Sequence, residues 1–169
     1  MKPWCIYLIV LVLSLSRLSG PLAFGHSTPG STVLLDFHRE GVMAELTLPL
    51  EELQISFQQP LLTETNVLLT KYAAALNEYL VAHINPEAAS GTKWTVTVKS
   101  LATQLDRPPF DLIAQVWMQP PPGASPRQFT FNYSVINHEV MSHNVFVAVR
   151  NDWDTAVFSG KPEPLGNIL

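Results

Sequence analysis

Apolar and polar residues alternate along several short stretches of the chain, and in one stretch they recur with the period of a helix. Thr32-Val33-Leu34-Leu35-Asp36-Phe37-His38 is rich in β-branched and apolar residues and reads as a strand. Arg39-Glu40-Gly41 reads as a turn, with glycine where a positive φ is needed. Val42 to Leu48 then sets Ala44, Leu46 and Leu48 against Glu45 and Thr47, one dry face and one wet. These two strands predict an N-terminal hairpin. Pro49 stops the second strand, and Glu51 to Phe57 is ambiguous, with a short helical turn as one reading. Thr63 or Thr65 is placed to cap the element that follows. From Asn66 to Ile84, Leu69, Tyr72, Ala73, Leu76, Tyr79, Leu80 and His83 recur at spacings of three and four. Lys71, Asn77 and Glu78 fall mostly on the other side, so an amphipathic helix is predicted, ending at Asn85-Pro86.

The rest of the chain has the strand period. Lys93 to Lys99 alternates Trp94, Val96 and Val98 with threonines, and Ser100 to Leu105 continues it through a bend. Phe110 to Met118, Gln128 to Ile136 and Asn144 to Arg150 follow as strands, and Ala156 to Phe158 as a short edge. The proline-rich run from Pro120 to Pro126 reads as a rigid loop, because strand patterning resumes directly after it. About seven short strands and one principal α-helix (about 66–84) predict a mainly β fold. The expected architecture is a β-sandwich-like single domain with the helix on one sheet or across one end. Residues from about 160 to 169 have no pattern and read as an unstructured tail.

The first residues follow a different logic. Lys2 precedes an apolar run from Trp4 to Leu15, which is shorter than the roughly 20 residues that span a bilayer. Ser19-Gly20-Pro21 breaks it, and Ala23-Phe24-Gly25 offers small residues at the first and third positions. This is the three-part form of a signal peptide, residues 1–25, cleaved after Gly25 so that the mature chain begins at His26. The chain is therefore expected to be exported, periplasmic or extracellular, with no stable membrane anchor after cleavage. Residues 26–169 amount to one domain. The only cysteine, Cys5, leaves with the leader, so the exported domain must be held by its core rather than by disulfides. Ten basic residues face fourteen acidic ones over the whole chain, and loss of Lys2 and Arg17 takes the remainder to about −6. With no cluster of Lys and Arg, neither nucleic acid nor an anionic membrane surface is an expected partner.

No nucleophile elbow, phosphate-binding loop, zinc-protease motif or dinucleotide fingerprint occurs, and no catalytic constellation can be assembled from the sequence. Asn132-Tyr133-Ser134 matches a glycosylation sequon but lies inside a strand. The histidines His26, His38, His83, His138 and His143 are the only candidates for chemistry. A mature N-terminal His26 would combine a free amine with an imidazole nitrogen, a chelate suited to copper or nickel. His138 or His143 could add a further ligand if the turn around Met141 folds back. The plainer readings are preferred: a polar residue at a frayed terminus and two hydrogen-bonded loop histidines. His83 suits the negative end of the helix dipole. Trp94, Trp117 and Trp153 read as core and rim aromatics.

Three segments carry a resemblance. His26 to Asp36, Ala44 to Leu53 and Phe131 to Asn144 resemble parts of the exported N-terminal region of HupE/UreJ-type membrane proteins, the hydrogenase and urease accessory family. The resemblance covers most of residues 26–169. It implies a β-rich extracytoplasmic domain ahead of a multi-helix membrane part, which is associated with nickel or cobalt transport and carries its metal-binding histidine motif in a transmembrane helix. The sequence ends at Leu169 without such a helix, so transport is not carried over, and either a truncated member or a free-standing relative of the exported domain is expected. The functional expectation is a non-catalytic extracytoplasmic accessory or binding domain beside a membrane-protein partner. A periplasmic copper- or nickel-binding protein using His26 is the alternative, and an uncharacterised hydrolase ranks third.

Overall fold

The computed structural model describes residues 30–168. The expected leader, its cleavage site and His26 lie outside them. The fold is mainly β and sandwich-like, with one principal helix. Its larger layer is a six-stranded sheet in the order β4-β5-β2-β1-β7-β8. The strands are β1 Ser31–Phe37, β2 Val42–Pro49, β4 Thr95–Gln104, β5 Asp111–Gln119, β7 Val145–Asp152 and β8 Val157–Ile168. All neighbours are antiparallel except β1 and β7, which run parallel. The second layer holds α1 Leu50–Phe57, α2 Leu68–His83 and a two-stranded ribbon of β3 Ile84–Ala88 with β6 Phe129–Tyr133.

Alternation along the strands explains the layering. Val33 and Leu35, then Val42, Ala44, Leu46 and Leu48, then Leu112, Ala114, Val116 and Met118 turn to one face and are buried to within 1%. Leu50 and Leu53 of α1 and Leu68, Leu76 and Leu80 of α2 close over that face. Ile84, Tyr133 and Trp94 complete the cover from the ribbon side. Leu69 and Ala73 of α2 lie beside Val98 to Leu101, which places this helix across β4. The predicted hairpin pairs Leu35 with Ala44 and Phe37 with Val42.

Gly41 in that hairpin corrects one detail. Its φ is not positive. A Cβ there would stand 2.6 Å from the Met118 carbonyl oxygen and 2.7 Å from the Trp117 ring, so close approach is what demands glycine.

Four elements depart from expectation. α1 is a complete helix, with Pro49 preceding it at a φ of −60° and Gln58 closing it at a φ of 57°. Glu51 and Glu52 in its first turn favour the helix dipole. The principal helix starts at Leu68, after a 3₁₀ turn at Thr65–Val67, and no threonine caps it. Thr63 instead donates to the Pro60 carbonyl, 3.1 Å away. Asn85-Pro86 ends the helix as expected but also lies in β3, where a two-stranded ribbon leaves the proline nitrogen free of any ladder bond. Finally, the segment expected as a tail continues β8 and pairs with β7 as far as Ile168. Pro162 and Pro164 are tolerated because β8 is an edge strand.

Candidate functional site

The two ends of β1 carry the features with chemical potential. At its start, Ser31, His143 and Glu52 form a chain of polar contacts. Ser31 Oγ lies 2.7 Å from His143 Nε2, and His143 Nδ1 meets the Glu52 carboxylate. A carboxylate accepts the Nδ1 proton, which leaves Nε2 to accept from the serine hydroxyl. This is the order and tautomer of an acyl-transfer relay. Ser31 and His143 are each 1% exposed, within the packed layers. Burial also pushes the Tyr133 phenol well above its ordinary value, with the Ser31 hydroxyl acting the other way. What the relay does is tie β1, α1 and the loop before β7 together, while Asn137 Nδ2 donates to the His143 carbonyl at 2.8 Å. The relay was not legible in the sequence, since its members lie far apart and match no local motif.

The loop after β6 arranges the other histidines. Ser134 donates its backbone N–H to the His83 carbonyl at 2.9 Å. Its hydroxyl lies 3.0 Å from His83 Nδ1, and its carbonyl oxygen lies 2.8 Å from His138 Nδ1. His83 and His138 stack with centroids 4.0 Å apart and planes 19° from parallel. Tyr79 lies against both rings, 4.6 Å from His83 and 5.8 Å from His138 between centroids. Burial, and then the neighbouring His138, lower the pKa of His83. Ile136 is held at a φ of 70°, an unusual conformation for a β-branched residue. Its N–H donates to the Tyr79 hydroxyl at 3.1 Å, and its carbonyl accepts from Ser56 Oγ at 3.0 Å and from the Val140 N–H at 2.9 Å.

The sequence-predicted ligands are thus dealt to different partners. His26 lies outside the described residues. His143 has both ring nitrogens engaged in the core, so neither is open to a metal as it stands. His138 is exposed and pairs with His83, which the sequence explained by the helix dipole alone. Among the described residues, no three of His, Cys, Asp and Glu converge as a complete metal site would require.

At the far end of β1, aromatic rings gather in the open. Trp153 and Phe158 are 52% and 55% exposed and meet edge to face at 4.7 Å. His38 stacks on Trp153 at 5.9 Å and meets Trp117 edge-on at 5.7 Å. Arg127 and Arg39 stand nearby, paired with Asp152 and Asp154 respectively. The Arg127 guanidinium holds the Asp152 carboxyl well below the usual carboxylate range. Trp94, by contrast, is a core residue at 6% exposure.

Among the described residues, no helix is long and apolar enough to cross a membrane. No protein-family model matches the sequence, and no curated protein matches it closely enough to count as a relative.

Proposed function

We propose that the chain is a non-catalytic extracytoplasmic accessory or binding domain of the HupE/UreJ kind, exported by its leader and working beside a membrane-protein partner. The observation that carries this reading is the aromatic tip formed by His38, Trp117, Trp153 and Phe158, ringed by Arg39, Arg127, Asp152 and Asp154. Large apolar rings left in solvent, with a charged rim, are the anatomy of a contact surface. Tryptophan supplies much of the binding energy in such places. The buried serine–histidine–glutamate relay supports the same reading from the other side, because the only nucleophile it activates is packed inside the protein.

A photo-cross-linker at Thr155, beside the tip, tests the proposal in intact cells. An adduct with an integral membrane protein is expected, and Trp153→Ala with Phe158→Ala should abolish it. No adduct, or one indifferent to those substitutions, would refute the reading. N-terminal sequencing of exported material tests the leader separately, with a start at His26 expected.

A further inference from the structure

We propose that the stacked His83 and His138 rings are an acid-sensitive latch, which holds the turn between β6 and β7 closed while one ring is neutral and releases it when both are charged. The rings lie face to face, with centroids 4.0 Å apart and planes 19° from parallel. Two neutral imidazoles, or one neutral and one charged, share such a stack readily. Two imidazolium rings repel at this distance, and each disfavours the charge of the other. Ser134 ties both rings to one residue. Its carbonyl accepts from His138 Nδ1 at 2.8 Å, and its hydroxyl meets His83 Nδ1 at 3.0 Å. The rings therefore separate only if the turn itself gives way.

The described groups around the pair do little to offset a second charge. From α2, Tyr79 lies against both rings, and burial keeps its phenol in the neutral form by pushing its value up. From α1, Phe57 packs on Tyr79 and Ser56 bonds the Ile136 carbonyl, and both are uncharged. Glu52 of the same helix is engaged by His143. β3 follows His83 directly with Ile84 and Asn85, also uncharged. From the turn, the exposed Glu139 stands next to His138 in the chain, and its charge acts on Tyr79. Burial and then His138 hold the His83 ring below its ordinary value of 6.5. The released turn therefore takes up protons that the closed turn refuses, and closure weakens as pH falls below that value.

Release has a path into the fold. Ile136, Asn137 and Val140 belong to the same turn as His138. Asn137 Nδ2 donates to the His143 carbonyl at 2.8 Å, and the His143 N–H donates to the Val140 carbonyl at 3.0 Å. The His143 ring in turn reaches Ser31 and Glu52. An opened turn thus loosens the tie between β1, α1 and the start of β7. The central strands keep their own ladders, because β2 is bonded on both sides, by β1 and by β5.

Ring titration by NMR and amide hydrogen exchange of the full chain, from about pH 7.5 to about pH 5, are the test. The His83 ring should titrate below 6.5 in the parent and at a higher pH in His138→Gln, a substitution at an exposed position. Protection of the Ile136 and Val140 amides, corrected for intrinsic exchange, should fall by roughly tenfold or more over this range, and Leu46 and Val116 should keep theirs. In His138→Gln the fall should disappear. A His83 ring that titrates at or above 6.5 in the parent would overturn the latch without any variant. So would a His83 titration unmoved by His138→Gln, or protection of the turn that ignores pH. A fall that persists in His138→Gln, or that Leu46 and Val116 share, would overturn it as well. Unfolding midpoints near neutral pH establish that the variant is folded, and if it is not, the parent's ring titration decides.

Discussion

Glu52 and His143 join α1 to the loop ahead of β7 through a carboxylate–imidazole contact in which the histidine side chain is fully buried and the glutamate only 13% exposed. Replacing His143 with Ala leaves a largely buried carboxylate and the Ser31 hydroxyl without their partner. The expected loss of stability is about 3 kcal/mol, between the cost of an orphaned polar group and that of an uncompensated buried charge. Urea unfolding measures it, and a loss below about half a kcal/mol would show that the contact is dispensable.

Tyr79→Phe removes one oxygen and no bulk. That oxygen accepts from the Ile136 N–H, where the chain adopts its unusual φ of 70°. The expected cost is about 1–3 kcal/mol, from a donor left unsatisfied in a buried setting. Hydrogen exchange should show the Ile136 amide losing protection before those of the central strands. Unchanged protection would mean the phenol does not hold the loop.

Leu76 is fully buried on α2. Truncation to Ala should cost about 2–5 kcal/mol through lost transfer energy and the cavity left behind. Thermal or denaturant unfolding reads this directly, and a near-neutral result would place the helix stripe outside the core.

Asp111 yields a pH signature. Burial raises its carboxyl above the ordinary value of 3.8. Below that value both folded and unfolded chains hold the proton, and no difference arises. As pH climbs, the unfolded chain releases its proton first, so the folded state binds more protons and stability falls across the window up to the raised value. Above the window the penalty of a buried charge persists. Asp111→Asn should therefore melt at a higher temperature than the parent at neutral pH, and the two curves should converge near about pH 3. An Asn variant that is less stable at neutral pH would show that the carboxylate is stabilised by its surroundings.

The elements with a long or regular period were legible in the sequence. Ala44, Leu46 and Leu48 declared a face of β2, and Leu76 and Leu80 declared the helix stripe. The elements that escaped did so for physical reasons. In α1 only Leu50, Leu53 and Ser56 are buried, at intervals of three, and so short a helix owes its existence to packing rather than propensity. β3 contains Asn85-Pro86-Glu87, which favours no strand, and forms because Phe129 to Tyr133 is there to pair with it. β8 carries two prolines that only an edge position excuses. The relay and the histidine stack were invisible because tertiary folding assembles both: His143 finds Glu52 across 91 positions, and His83 finds Ser134 across 51.

The parallel alliance of β1 with β7 has a temporal consequence. Val33 lies opposite Val147, so β1 sits mid-sheet beside a strand made more than a hundred residues later. A chain delivered from its N-terminus can assemble β2, β5 and β4 against β1, yet one margin of β1 stays bare until β7 arrives. Such a margin invites pairing with other chains, and contacts this distant in sequence close slowly. Closure of the sheet therefore waits for β7, and a nascent chain released before it would be prone to aggregate through β1.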